Sequence, residues 1–215
     1  MKIDFVSDVV CPWCAIGLNG LQQAVDRLGP EAGPVEWHVH PFELNPQMAP
    51  EGEDIGEHLQ RKYGATPAQG EATRETIRQR GASVGFEFRM DKRSRIYNTF
   101  DAHRLLHWSA SQGPGRQLAL KKRLLSAYFT KGDNPGARDV LLRCAAEAGL
   151  DADGARAVID SDAGAAEVRA LEQRWQQLGI HSVPSIIIND RHLIQGGQPP
   201  EVFEQALRQI LAEAG

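Results

Sequence analysis

The sequence predicts an α/β fold: a strand–helix–strand opening, a strand–strand–helix close, and a large all-helical insertion between the second and third strands. Three observations predict it. Residues 2–6 (Lys-Ile-Asp-Phe-Val) and 35–42 (Val-Glu-Trp-His-Val-His-Pro-Phe) alternate apolar and polar types around a helical stretch. Strand signals return only at 185–195. Between them the chain is punctuated by Gly and Pro, and its segments carry helical periodicity. Residues 1–42 and 181–215 therefore read as one discontinuous domain, and 43–180 as a helical subdomain, too long to be a loop.

Each element has its own signal. Cys11 opens a helix whose apolar face is Ile16, Leu18, Leu21, Val25 and Leu28, and Gly29-Pro30 stops it. The strands flanking it form a βαβ unit, which makes them parallel with a right-handed crossover. The insertion predicts helices near 53–63, 67–81, 98–111, 115–130, 137–148, 151–160 and 163–178, with a short extended piece at 85–89. Ser185-Ile186-Ile187-Ile188 is a short β-branched run of the buried-strand type. Asn189-Asp190 is turn chemistry, so residues 191–195 return as a hairpin. A last helix starts near Pro199-Pro200.

Composition narrows the function. The 215 residues carry 24 Lys+Arg against 28 Asp+Glu, a formal net charge of -4, with the signs interspersed. Nothing in that distribution suits nucleic acid or an anionic membrane surface. The basic runs at 92–95 and Lys121-Lys122-Arg123 read as solvated faces. No apolar run approaches the roughly 20 residues that span a bilayer. The N-terminus enters a strand without a basic region or apolar signal core, so a cytoplasmic protein is expected.

The chemistry lies in Cys11-Pro12-Trp13-Cys14. Zinc wants four ligands, and there is no second cysteine pair; only His38 and His40 on the second strand offer further donors. A redox pair explains the context better. The motif follows a strand and opens a helix, whose N-terminal N–H groups favour a thiolate at Cys11. Pro12 suits the first helical turn. Cys14 lies one turn on, on the same face, and can reach the Cys11 sulfur. Cys11 is then the attacking thiol, more accessible than Cys14, and Cys14 the resolving one. A permanent disulfide would not persist in a reducing compartment. Cys144, mid-helix, reads as a small buried hydrophobe. The second signal is Ser182-Val183-Pro184-Ser185, a proline directly before a buried strand.

Together these motifs resemble the DsbA-like proteins of the thioredoxin fold, with FrnE-like members as the nearest likeness. Asn98-Thr99-Phe100-Asp101-Ala102-His103-Arg104-Leu105, Ala127-Tyr128-Phe129 with Gly132, and Gly196-Gly197-Gln198 extend the resemblance over nearly the whole chain. It implies a disulfide oxidoreductase with Val183–Pro184 in cis, facing the cysteines and presenting backbone to an extended substrate. It implies no metal or organic cofactor beyond a Cys11–Cys14 disulfide, with protein thiols, protein disulfides or glutathione as substrates. Hydroxychromene carboxylate isomerases and kappa-class glutathione transferases share the architecture, but have a serine in place of the first cysteine. That glutathione-dependent reading is the alternative. A homodimer is compatible with either.

Trp13 either shapes the substrate surface or shields the sulfurs. Asn98 is a helix N-cap that the resemblance also makes a cleft residue. His103 and Arg104 read as ordinary helix residues, and Trp37, Trp108 and Trp175 as packing. Glu43-Leu44-Asn45-Pro46 follows the second strand, next to the expected site.

Overall fold

The computed structural model describes residues 1–214. Strand β1 (Lys2–Ser7) leads into helix α1 (Pro12–Leu28), and β2 (Glu36–Pro41) returns parallel to β1, pairing Lys2 with Glu36 and Ser7 with Pro41. Strand β5 (Ser185–Ile188) runs antiparallel on the other side of β1, and β6 (His192–Gln195) pairs with β5. The sheet order is β2-β1-β5-β6. The hairpin between β5 and β6 turns on Asn189 and Asp190, whose φ angles are 52° and 55°. Asn and Asp tolerate that left-handed region better than other non-glycine residues. Helix α9 (Pro200–Ala214) closes the chain against α1.

Between β2 and β5 stand α2 (Ile55–Tyr63), α3 (Pro67–Ser83), α4 (Phe100–Ser109), α5 (Arg116–Ser126), α6 (Arg138–Glu147), α7 (Ala152–Ile159) and α8 (Ala165–Gln177). A π-helical turn, Ala127–Lys131, extends α5. The region is helical apart from a two-residue ladder between β3 (Glu53–Asp54) and β4 (Arg95–Ile96). The extended piece expected at 85–89 pairs with no strand; instead Phe86 and Phe88 lean on Phe129, with ring centroids 6.3 and 5.0 Å away. Aromatic burial, not sheet pairing, fixes that stretch.

Helices α4, α5 and α8 pack on β2, so the insertion covers the sheet beside the Cys-bearing helix. Its apolar residues merge with those of the sheet. Ile3, Phe5, Ile16 and Leu18 share one cluster with Leu105, Leu120, Leu124, Leu141 and Phe203. Even the free edge of β2 is met from the insertion. The Gln117 side-chain amide accepts from the Val39 N–H at 2.8 Å and donates to its carbonyl at 2.9 Å. A side chain thus replaces a missing strand and satisfies backbone groups that burial would otherwise strand.

Candidate active site

Cys11 is the N-cap of α1, with extended backbone, and Pro12 follows in the first turn. The Cys14 and Ala15 N–H groups both donate to the Cys11 carbonyl, at 3.1 and 3.4 Å. This winds the first turn tightly and sets Cys14 above Cys11 on one face. Cys14 is fully buried and Cys11 is only 3 % exposed. Cys11, expected to be the accessible thiol, is thus buried as well as Cys14. The cover comes from the loop before β5, where the Cys11 thiol points at the Val183 carbonyl, 3.7 Å away.

The Val183–Pro184 peptide bond is cis. Its loop is seated by close approach to α1. A Cβ on Gly17 would lie 3.0 Å from Pro184 Cγ, and one on Gly197 would lie 2.8 Å from the Trp13 carbonyl oxygen. Only glycines let the 182–184 and 196–197 segments lie so close to the first turns of the helix. Gly196 N–H closes the arrangement on the Pro184 carbonyl at 2.9 Å, and Arg80 from α3 donates to the Gly197 carbonyl at 2.8 Å. Trp13 is half-buried against the main core.

Beneath the cysteines lies a group of buried charges that the sequence did not disclose. Asp8, fully buried between β1 and α1, accepts from the Val9 N–H at 2.7 Å and the Leu44 N–H at 2.8 Å, and meets His103 Nε2 at 3.3 Å. Burial alone would raise its carboxyl. His103, the Leu44 N–H and Lys121 overcome that and hold it below the ordinary value. Lys121, in a run expected to face solvent, is instead 0 % exposed. It falls on the inward stripe of α5 with Gln117, Leu120 and Leu124, a spacing that was visible in the sequence. Among the described residues its Nζ has no hydrogen-bond partner. Burial lowers the Lys121 ammonium, while Cys14, Asp8 and Cys11 pull it up.

Cys14 titrates well above an ordinary thiol. Burial is the main cause, followed by its hydrogen bond to Cys11 and the charge there; Lys121 and the Asp8 backbone N–H work against them. Cys144, buried in α6, is pushed up to about 11, chiefly by burial.

The 43–46 segment does border the site. Leu44 is tied to Asp8, and Lys62 of α2 donates to the Leu44 carbonyl at 2.8 Å and to Asn45 Oδ1 at 2.7 Å. Tyr63, next along α2, is exposed. Asn98 lies one residue outside the cap of α4. It accepts from the Phe100 N–H at 2.9 Å and donates to the Met48 carbonyl at 2.8 Å. Its polar ends are therefore spent on holding the chain. His103 and Arg104 do lie in a helix, α4, and both are buried. Arg104 binds the Val158, Ser161 and Ala163 carbonyls at the end of α7. His38 and His40 turn to Glu36 and Asp4, at 2.9 and 2.7 Å.

A family model described as the DSBA-like thioredoxin domain matches residues 2–208. The chain belongs to the DSBA-like thioredoxin family. Among solved structures, this DSBA-like chain is similar to a probable DsbA oxidoreductase of Streptomyces coelicolor. The two share 34% identity and a TM-score of 0.88 over 99% of this chain and 91% of that one. A cytosolic disulfide reductase DsbM of Pseudomonas aeruginosa, solved with GSH, is similar at 18% identity and a TM-score of 0.67, over 99% of this chain and all of that one. An uncharacterized Bacillus subtilis protein, YwbO, is 26% identical over 208 residues, 96% of either chain. The family's fold matches the observed β-α-β and β-β-α halves around a helical insertion.

Proposed function

We propose that this DSBA-like chain is a thiol–disulfide oxidoreductase of the FrnE-like kind, with Cys11 and Cys14 as its redox pair. The observation that carries the reading is the placement of the two sulfurs. Cys11 caps a helix N-terminus and faces the Val183 carbonyl, while Cys14 sits one turn deeper in full burial. A sealed partner thiol suits the resolving role.

Cys11 thiolate attacks a substrate disulfide, forming a mixed disulfide and releasing one substrate thiolate. Cys14 then attacks the Cys11 sulfur, closing the Cys11–Cys14 disulfide and releasing the second substrate thiolate. The reverse sequence oxidises a dithiol. Val183 and Pro184, with Pro12 and Trp13, line the approach to Cys11 and hold an extended substrate; Asn98 supports the wall behind Met48. Substrates are protein disulfides and thiols or glutathione, and no metal or organic cofactor takes part. The cytosolic DsbM is in keeping with work in the cytoplasm. Among the described residues, no helix is long and apolar enough to cross a membrane.

Trapping tests the roles. Cys14→Ala should accumulate mixed disulfides at Cys11 with glutathione or client proteins, and Cys11→Ala should accumulate none. Equal trapping by both variants would reverse or dissolve the assignment. Activity on an aromatic small molecule that needs glutathione and survives Cys11→Ser would favour the isomerase or transferase reading instead. Equilibration in glutathione redox buffers then gives the direction: a potential near about −270 mV marks a reductase, one near about −120 mV an oxidant.

A further inference from the structure

One side chain ties the loop that faces Cys11 to the helical insertion. Arg80, in the last turn of α3, donates to the Gly197 carbonyl at 2.8 Å, 117 residues further along the chain. The other two arginines of α3 are spent on their own helix: Arg74 pairs with Glu71 and Arg78 with Glu75, each three residues back. Arg80 has Ile77 in that place, and among the described residues it forms no ion pair. Its root is fixed. Just past α3, the Val84 carbonyl accepts from Gln23 of α1 at 3.0 Å, and the Phe86 N–H donates to the Gly81 carbonyl at 2.9 Å. The half-buried guanidinium is thus a donor whose helix is itself held on α1.

From that donor to the reactive sulfur the contacts are continuous. A Cβ on Gly197 would meet the Trp13 carbonyl oxygen at 2.8 Å, so the turn lies directly on the start of α1. Gly196 donates to the Pro184 carbonyl at 2.9 Å, and the preceding Val183 carbonyl lies 3.7 Å from Cys11 Sγ. The other bonds of Gln198, next in the turn, are local, to the Gly196 carbonyl at 3.0 Å and the Gln195 carbonyl at 2.8 Å. Two successive glycines leave such a turn free to wander without an outside anchor, and a charge-assisted hydrogen bond is a strong one. We infer that Arg80 is a positioning residue that makes the site selective for extended peptide disulfides over small ones; this rests on the redox reading above. A peptide lying along Val183 pairs with the loop backbone, and it gains most affinity where that backbone is already in place. A small disulfide has no backbone to pair and needs only the Cys11 sulfur. Arg80 touches neither substrate nor sulfur; it acts through Gly197, Gly196 and Pro184.

Two substrates compared in the same protein test this. kcat/KM is measured for an extended peptide disulfide and for hydroxyethyl disulfide in wild type, Arg80→Met and Arg80→Lys. The ratio of the peptide value to the small-disulfide value should fall about tenfold in Arg80→Met, the scale of one charge-assisted hydrogen bond. For the peptide the loss should lie in KM more than in kcat. Arg80→Lys keeps one charged donor and should recover most of the ratio. An arginine with a merely structural role would lower both values alike. An unchanged ratio in Arg80→Met, or no recovery in Arg80→Lys, therefore overturns the inference. Wild type that exchanges neither disulfide overturns the redox reading itself, which is a distinct failure. A measurement with Arg80 intact covers a variant that fails to fold. In Cys14→Ala, the NMR signals of the Arg80 guanidinium and the Gly197 carbonyl should shift when Cys11 carries the peptide and stay in place when it carries mercaptoethanol. Identical signals in both adducts would refute the proposal.

Discussion

Asp8 accepts from two backbone N–H groups and meets His103, so protonating it costs the native state those contacts. Its folded-state pKa lies below the ordinary 3.8. Its stabilisation is therefore complete above that value and lost as pH falls through the lower, folded one. Asp8→Asn should lower stability at neutral pH by roughly 1–3 kcal/mol, and the gap from wild type should close only below about pH 4. Calorimetry across the acid range reads this directly; a gap independent of pH would mean the carboxylate charge is not what matters. Cys144, pushed up to about 11, should resist iodoacetamide near pH 8 until the chain is unfolded, which mass spectrometry checks. At this scale the sequence spoke unevenly. The cysteine spacing was legible because three residues on a helix start is a local relation. Asp8 was not, because its partners come from residues 44 and 103 and only the fold brings them together. Lys121 lay hidden in a basic run that reads as surface unless each residue is placed on the α5 stripe.

Between elements, the decisive contact is α1 against the 182–184 and 196–197 segments, with Gly17 on the helix side and Gly197 on the loop side. An alanine Cβ at 197 would meet a backbone oxygen at 2.8 Å, with Gly17 N and Ile16 Cγ2 both at 3.4 Å. Backbone cannot swing aside as a side chain can. Gly197→Ala should therefore cost about 1–3 kcal/mol, as overpacking does, and slow thiol exchange by shifting the loop that holds Pro184. Gly70 is the control. It lies in α3, nothing stands within 4 Å of its would-be Cβ, and its φ is not positive. Gly70→Ala should stabilise by about 0.5–1 kcal/mol. Thermal melts of the two variants should move in opposite directions, and like shifts would refute the packing argument. The βαβ opening and the 185–195 hairpin were readable because alternation, turn residues and β-branched runs are short-range signals. The 53–54 and 95–96 ladder was not, since two residues per strand leave no periodicity to detect. The Gln117 plug on the β2 edge was equally silent, as a glutamine on a helix does not say which backbone it will pair with.

Over the whole molecule, residues 1–42 with 181–215 and residues 43–180 look separable in sequence, but their apolar residues form a common cluster. Phe5 and Leu18 of the first part belong to the same core as Leu105, Leu120 and Leu141 of the second. Polar ties cross as well. Gln117 of α5 holds the Val39 N–H and carbonyl at 2.8 and 2.9 Å, and Asp8 accepts from the Leu44 N–H at 2.8 Å and meets His103 at 3.3 Å. Independent domains need a core each and an interface few contacts cross. Here neither half would keep its core if the other opened. We therefore expect one unfolding transition in urea, despite a length at which intermediates become common. Two single-tryptophan proteins can report it: one retaining Trp37 on β2, the other Trp108 on α4. Their midpoints and slopes should coincide. A chain in which a short linker replaces residues 43–180 should fail to fold, because the inner faces of β1 and β2 would lose the helices that cover them. Two separated transitions, or a folded excised core, would make the halves true domains. The insertion would then be a cover on the redox site, not part of the core on which that site is built.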